Sequence, residues 1–171
     1  MFFLITWTIY GSWLPGDPRG FRTYHKRQTV PSPERYADED EVPYEPKRYI
    51  PLYSHSASKS SGEVKLNWEQ MKAACDVIVQ TAVALGVRGT VAVLPQHVHI
   101  VVEMPEEITT GFFCNRVKSK SSLRLSDYGL KGKVWARRYH AKRISEEKVI
   151  EARRYVQSHR QEGAVISEFG F

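Results

Sequence analysis

Hydrophobic and polar positions divide the chain into an opening strand, a long stretch without a period, and a second half of strands and amphipathic helices. β-formers alternate from Phe2 to Tyr10, which predicts a strand with Ile5, Trp7 and Ile9 on one face. Glycine and proline are dense from Gly11 to Gly20, so we expect the strand to end there in turns.

Residues 21–62 show no sustained hydrophobic period. Five prolines and a run of acidic residues predict irregular backbone in this stretch, whereas its five tyrosines argue against plain disorder. We therefore expect a single domain over residues 1–171 that carries an irregular, ordered insertion at about 21–62. The serine-rich segment from Ser54 to Ser61 is the expected flexible exit of this insertion.

Three amphipathic patterns predict helices in the second half. The first helix begins at Asn67, where Gln70 completes a capping-box pattern, and Gly86 ends it. The second begins at Glu106 or Thr109 and ends near residues 127–129. The third is capped by Ser145 and ends at Gly163. Their apolar stripes are expected to be core: Trp68, Met71, Cys75, Ile78, Ala82 and Leu85; Ile108, Phe112, Phe113 and Val117; Val149, Ala152 and Val156.

Three further segments read as strands. Val87 to Leu94 and the segment 97–103 are separated by only two residues, so they should form an antiparallel hairpin. Val134 to Ile144 is the last predicted strand. The resulting order, β–α–β–β–α–β–α, is close to a ferredoxin-like split unit with one further helix. The fold class is therefore α+β, with an antiparallel sheet, helices on one face and an additional C-terminal helix.

Composition fits a globular protein, with 42% hydrophobic residues in a chain of 171. No stretch approaches the ~20 apolar residues of a membrane span, and the N-terminal apolar run has no preceding basic region. We therefore expect a cytoplasmic protein without a membrane partner. Cys75 and Cys114 fall in helical patterns without partner-like spacing, so no disulfide framework is expected.

The net charge of +6 is distributed unevenly along the chain. Residues 31–47 are acidic, whereas residues 116–160 hold fourteen Lys and Arg against four acids, which points to a polyanion as partner. A well-solvated surface without a partner is the alternative. Trp13 or Trp135 could stack on bases. The candidate phosphate contacts are Arg116, Lys118, Lys120, Arg137, Arg138 and Lys142.

Two histidines lie two residues apart within a run of β-branched residues. In a strand, His97, His99 and Val101 share one face, and the two imidazoles are about 6–7 Å apart at a rise of ~3.3 Å per residue. They can converge on one divalent metal. The alternative is a pair of polar residues on the solvated face of a half-buried sheet.

The last predicted helix carries Tyr155 and His159 four residues apart, on the flank of its apolar stripe. Tyr155 can supply a nucleophile once a cation or base favours the phenolate, and His159 can supply a third metal ligand. The alternative for Tyr155 is a boundary aromatic at the edge of the core.

Taken in order, these segments resemble the single-tyrosine HUH transposases, especially the branch of REP-associated tyrosine transposases. The resemblance covers about residues 1–20 and 65–166. It rests on five segments. They are the His-hydrophobic-His strand (Pro95 to Val102), the basic helix after it (Arg116-Val117-Lys118-Ser119), the segment before the last strand (Val134-Trp135), the tyrosine helix (Tyr155-Val156-Gln157-Ser158-His159) and the opening loop (Thr6 to Asp17).

The resemblance implies an HUH endonuclease-like fold and an enzyme that cleaves and rejoins single-stranded DNA next to hairpins. Tyr155 would attack the phosphate and keep the 5′ end as a phosphotyrosine, releasing a 3′ hydroxyl. His97, His99 and His159 would hold Mg²⁺ or Mn²⁺. The implied partner is single-stranded or hairpin DNA in the nucleoid, and the sequence leaves a homodimer and a monomer both open.

The chain departs from the family pattern in two places. The family usually has Asn or Gln four residues after the tyrosine, where this chain has His159, and imidazole shifts the metal preference towards softer ions such as Mn²⁺. The 21–62 insertion is also unlike the compact members. Two other functions stay open: a catalytically silent binder of hairpin or single-stranded nucleic acid, and an unrelated metal-dependent hydrolase built on His97 and His99.

Overall fold

The computed structural model describes residues 1–11, 14, 20–22, 29–31, 46–59 and 64–170. The chain forms two compact units, one made of Met1–Tyr10 with Val64–Phe171 and the other of Gly11–Glu63. Trp13, one of the expected stacking residues, lies outside the described residues.

The smaller unit contains two short strands and a helix. Strand β2 (Gly20–Arg22) pairs antiparallel with β3 (Thr29–Pro31), and helix α1 spans Pro46–Lys59. The expected flexible exit at Ser54–Ser61 is therefore wrong as far as Lys59. Proline at the first helical position is compatible with a helix, and Pro51 falls in the second turn, so the prolines did not prevent one.

The larger unit is built on a five-stranded sheet. Its strands are β1 (Phe2–Thr8), β4 (Arg88–Val93), β5 (His97–Glu103), β6 (His140–Ile144) and β7 (Val165–Phe169). They lie in the order β6-β1-β5-β4-β7, and every neighbouring pair is antiparallel. The predicted α+β class with an antiparallel sheet is confirmed, including the β4–β5 hairpin.

Helices cover both faces of this sheet. On one face, α2 (Trp68–Ala84) and α3 (Thr110–Ser126) bury the main core, which includes Ile5, Ile100 and Phe113. The predicted caps are confirmed: Asn67 and Gln70 form a capping box, and Thr109 accepts from the amide of Phe112. On the other face, α4 (Val149–Ser158) packs a second core of Ala92, Leu94, Val101, Val149, Ala152 and Val156.

The last predicted strand is shorter than expected, because β6 begins at His140 rather than Val134. Trp135 turns into the core, with its ring centroid 6.2 Å from that of Trp7 and its Nε1 donating to Ser121 Oγ at 2.9 Å. Residues 136–138 are held by Lys118, whose Nζ donates to the carbonyls of Ala136 and Arg137 at 2.5 and 3.1 Å. An isolated antiparallel bridge between Ile9 and Trp135 pairs the start of this segment with the end of β1, and the side chains of Trp135 and Lys118 fix the rest of its path.

The C-terminal region differs from the expected single helix in three ways. A 3-10 turn at Glu146–Lys148 precedes α4, and Ser145 makes no side-chain capping bond there, so that predicted cap is wrong. A second 3-10 turn, His159–Glu162, follows α4 and ends at Gly163, whose φ of 80° suits glycine. Beyond it, β7 adds an edge strand that the hydrophobic pattern did not predict.

Both cysteines are free and buried. Among the described residues, no helix has the length and apolar character needed to span a membrane.

Candidate active site

The histidine strand is the central strand of the sheet, and its two faces are used differently. Val98, Ile100 and Val102 are fully buried against α2 and α3. His97 and His99 are half-buried on the opposite face, which is the face covered by α4. The predicted alternation along this strand is confirmed.

Helix α4 brings Tyr155 and His159 to the same place. Val156 is fully buried against the sheet and fixes the helix, so its neighbours on the flank lie over β5. The ring centroids of Tyr155 and His99 are 5.4 Å apart, and those of Tyr155 and His159 are 4.9 Å apart. His159 is also 4.6 Å from His99 and 6.1 Å from His97. We call His97, His99, Tyr155 and His159 the ring cluster.

Burial keeps the strand histidines in the neutral form that a metal ligand or proton acceptor needs. It lowers the pKa of His99 to about 4, with the nearby His97 and His159 acting in the same direction. Burial, followed by the charge of His159, also lowers the pKa of His97. Tyr155 is 45% exposed, so its phenol is accessible to a large substrate.

Two residues that the sequence did not single out hold the imidazoles from outside. The hydroxyl of Thr6 lies 2.9 Å from Nδ1 of His99, and Oε1 of Glu162 lies 2.7 Å from Nδ1 of His159. Within the described part of the chain, the buried Nε2 of His159 has no hydrogen-bond partner. Two sequence signals could have identified them. Thr6 alternates with the apolar residues of the first strand, and Glu162 follows His159 by three residues, the spacing of one helical turn.

The donor set fits a divalent metal in its chemistry, because three imidazoles lie together and one buried ring nitrogen, Nε2 of His159, has no partner among the described residues. However, no three His, Cys, Asp or Glu side chains of the described residues are placed as a ready metal site. The ring planes of His99 and His159 are parallel within 3° and stacked. Lone pairs in parallel planes do not meet at one point, so binding requires one ring to turn.

Most of the predicted phosphate contacts are on the surface. Arg116, Lys120, Arg137, Arg138 and Lys142 are exposed. The register Leu4↔Lys142 and Thr6↔His99 places Lys142 on the same sheet face as the ring cluster. The same register adds His140, opposite Thr6, which sequence reasoning missed.

Two predicted nucleic-acid contacts need correction. Lys118 is 8% exposed, and its amine is used on backbone carbonyls, so it is unavailable for a phosphate. Trp135 is 7% exposed and hydrogen-bonded within the core, so it is unavailable for stacking on a base. Both residues instead shape the segment that carries Arg137 and Arg138.

The chain thus has a five-stranded antiparallel sheet, two histidines on its central strand and a tyrosine helix over the same face, as the resemblance to the single-tyrosine transposases implied. The sequence agrees: the family model "Transposase IS200 like" matches residues 71–159, more than half of the chain. The chain belongs to this family, as the resemblance indicated.

Two solved structures are similar to this chain at low sequence identity. A REP-associated tyrosine transposase bound to a REP hairpin aligns over 95% of this chain and 68% of its own, with 13% identity and a TM-score of 0.50. A presumed transposase from Deinococcus radiodurans R1 aligns over 92% and 89%, with 13% identity and a TM-score of 0.49. No curated protein sequence matches the chain significantly.

Proposed function

We propose that this transposase cleaves and rejoins single-stranded DNA next to hairpins through a covalent bond to Tyr155. The observation that carries the proposal is the placement of the exposed Tyr155 ring within 5.4 Å of His99 and 4.9 Å of His159. A tyrosine nucleophile needs a base or a cation beside it, and this placement puts Tyr155 next to the imidazoles that could supply or hold one.

The reaction is a transesterification at phosphorus. The oxygen of Tyr155 forms a bond to phosphorus while the P–O3′ bond breaks; the phenol proton passes to solvent, and the leaving 3′ oxygen takes up a proton from solvent. The products are a 5′-phosphotyrosine and a strand that ends in a 3′ hydroxyl. Attack by a 3′ hydroxyl on the phosphotyrosine reverses the steps and rejoins DNA.

His97, His99 and His159 are the residues that would hold Mg²⁺ or Mn²⁺ in this reaction. A bound divalent cation would polarise the phosphate and stabilise the charge that develops on its oxygens. Imidazole donors favour Mn²⁺ over Mg²⁺. The burial that keeps His97 and His99 neutral supports this assignment.

The DNA partner is proposed from charge and from a relative. Arg116, Lys120, Arg137, Arg138 and Lys142 are exposed cations suited to phosphates. One structural relative was solved with a REP hairpin, and we extend hairpin DNA to this chain as a ligand class. We reject the alternative of an unrelated metal-dependent hydrolase, because the chain belongs to the transposase family.

A covalent-capture assay tests the proposal. A hairpin oligonucleotide with a single-stranded flank, labelled at its 3′ end, is incubated with protein and Mn²⁺ and run on a denaturing gel. We expect a protein–DNA adduct that Tyr155→Phe abolishes while keeping DNA affinity within a few-fold. Tyr128→Phe, a partly exposed tyrosine near the end of α3, is the matched control and should form the adduct.

Two outcomes would contradict the proposal. Peptide mapping that finds the phosphotyrosine on a residue other than Tyr155 would reject this nucleophile. A gel shift without any adduct from the wild-type protein would favour the alternative, a catalytically silent binder of hairpin or single-stranded nucleic acid.

A further inference from the structure

A carboxylate contacts the outer side of one imidazole of the ring cluster. Glu162 lies in the 3-10 turn that follows α4, and its Oε1 is 2.7 Å from Nδ1 of His159. The His159 side chain is only 10% exposed, whereas that of Glu162 is 59% exposed. The pair therefore joins a buried ring to a carboxylate that reaches it from the surface.

The chemistry of this contact fixes where the His159 proton lies. An ionised carboxylate only accepts hydrogen bonds, so Nδ1 must donate. A neutral imidazole has one N–H, which leaves the lone pair on Nε2. Nε2 is the buried atom for which the described residues provide no hydrogen-bond partner.

We infer that Glu162 is a positioning residue that fixes the tautomer of His159, so that Nε2 carries the lone pair available to whatever binds at the ring cluster. The inference deepens the proposed function and rests on it, since Nε2 is the atom that His159 would use on a divalent cation. Removing such an outer partner of a ligating histidine typically costs about 10–100-fold in metal affinity.

Thr6 does not have the same effect on His99. Its hydroxyl can donate or accept, so the 2.9 Å contact with Nδ1 holds the ring without selecting a tautomer. Of the two outer contacts described above, the one from Glu162 selects a tautomer. A purely local role for Glu162, as an i,i+3 pair at a helix end, would stabilise the fold only weakly and would not depend on the tautomer.

The decisive experiment reads the tautomer directly, without metal or DNA. Long-range ¹H–¹⁵N spectra of the full-length protein at pH 8.5 report which ring nitrogen is protonated, and His159→Gln assigns the signals. We expect the Nδ1–H form in the wild type and a shift towards the Nε2–H form in Glu162→Ala. Glu162→Gln should retain much of the wild-type form, because its amide oxygen accepts. Glu151→Gln, an exposed carboxylate on α4, should change nothing.

An Nε2–H signal in the wild type, or an unchanged tautomer in Glu162→Ala, overturns the inference. A second readout is Mn²⁺ affinity by calorimetry. Introduced into the wild-type chain, Glu162→Ala should weaken Mn²⁺ affinity about 10–100-fold. Introduced into the His159→Gln variant, it should leave Mn²⁺ affinity unchanged, because the amide of glutamine has no tautomer to fix. If no variant binds Mn²⁺, the proposed function fails, and the tautomer measurement alone decides the role of Glu162.

Discussion

Thr6 and His99 are linked across two strands by a contact of 2.9 Å between Oγ1 and Nδ1. The two residues are direct partners in the β1–β5 register, so their side chains leave the sheet on the same face. The register therefore places this hydroxyl against Nδ1 of His99 and leaves Nε2 as the ring nitrogen without that contact.

Thr6→Val should weaken Mn²⁺ binding and Mn²⁺-dependent cleavage by about 10–100-fold, because valine keeps the shape of threonine and removes only the hydroxyl. Calorimetry and single-turnover cleavage measure the two effects. Thr6→Ser is the control and should stay close to wild type. Equal affinities in the valine and serine variants would show that the hydroxyl does not position His99.

His97→Ala and His99→Ala should each abolish Mn²⁺-dependent cleavage, because each removes a proposed metal ligand. The protein should stay folded, because both rings are only half-buried and their loss takes no apolar side chain from the core. His140→Ala is the matched control, since this exposed histidine lies on the same sheet face across Thr6. Calorimetry with Mn²⁺ checks the cause of the loss. Unchanged Mn²⁺ affinity in both variants would reject the metal assignment.

Lys118 and Lys120 lie two residues apart on α3, and replacing each by methionine should affect the stability of the protein differently. Lys118→Met removes charge-assisted hydrogen bonds to Ala136 and Arg137, so the free energy of unfolding should fall by about 1–3 kcal/mol. Lys120 is exposed, so Lys120→Met should leave stability within ~0.5 kcal/mol. Urea unfolding measures both changes.

The salt dependence of DNA affinity tests the proposed phosphate contact of Lys120. If Lys120 contacts a phosphate, its replacement should make the log–log salt slope of DNA affinity shallower by about 0.7, the value for one contact on a single strand. Equal slopes for Lys120→Met and wild type would remove Lys120 from the binding surface.

Every ring of the ring cluster comes from one chain, with His97 and His99 on β5 and Tyr155 and His159 at α4 and its C-terminal end. We therefore expect that Tyr155 acts with the histidines of its own chain. Mixing His99→Ala protein with Tyr155→Phe protein should give no covalent adduct above the level of either variant alone. Recovery of adduct in the mixture would mean that Tyr155 serves a partner copy.

Periodicity predicted the sheet face of His97 and His99 and the helix of Tyr155, because both depend on the repeat of one element. Thr6 and Glu162 were not predicted, because their roles depend on strand register and on a 3-10 turn beyond the regular helix. Those features arise from tertiary packing rather than from a local period.

Lys118 was misassigned because lysine was counted as surface charge. It lies between Cys114 and Ser121 on the buried side of α3, so its helical position already indicated an interior stem. The strand predicted from Val134 was too long for a related reason. Val134 and Trp135 are β-formers, but Trp135 forms only an isolated bridge with Ile9, and the regular ladder begins at His140.

The edge position of β6 bears on self-association. An edge strand offers unpaired backbone groups to another chain, and charged side chains along it discourage such pairing. Lys142 and Arg143 are two of its five residues, and both are exposed. Two copies joined along this edge would bring like charges opposite each other, so β6 is protected against sheet extension while remaining accessible to a polyanion.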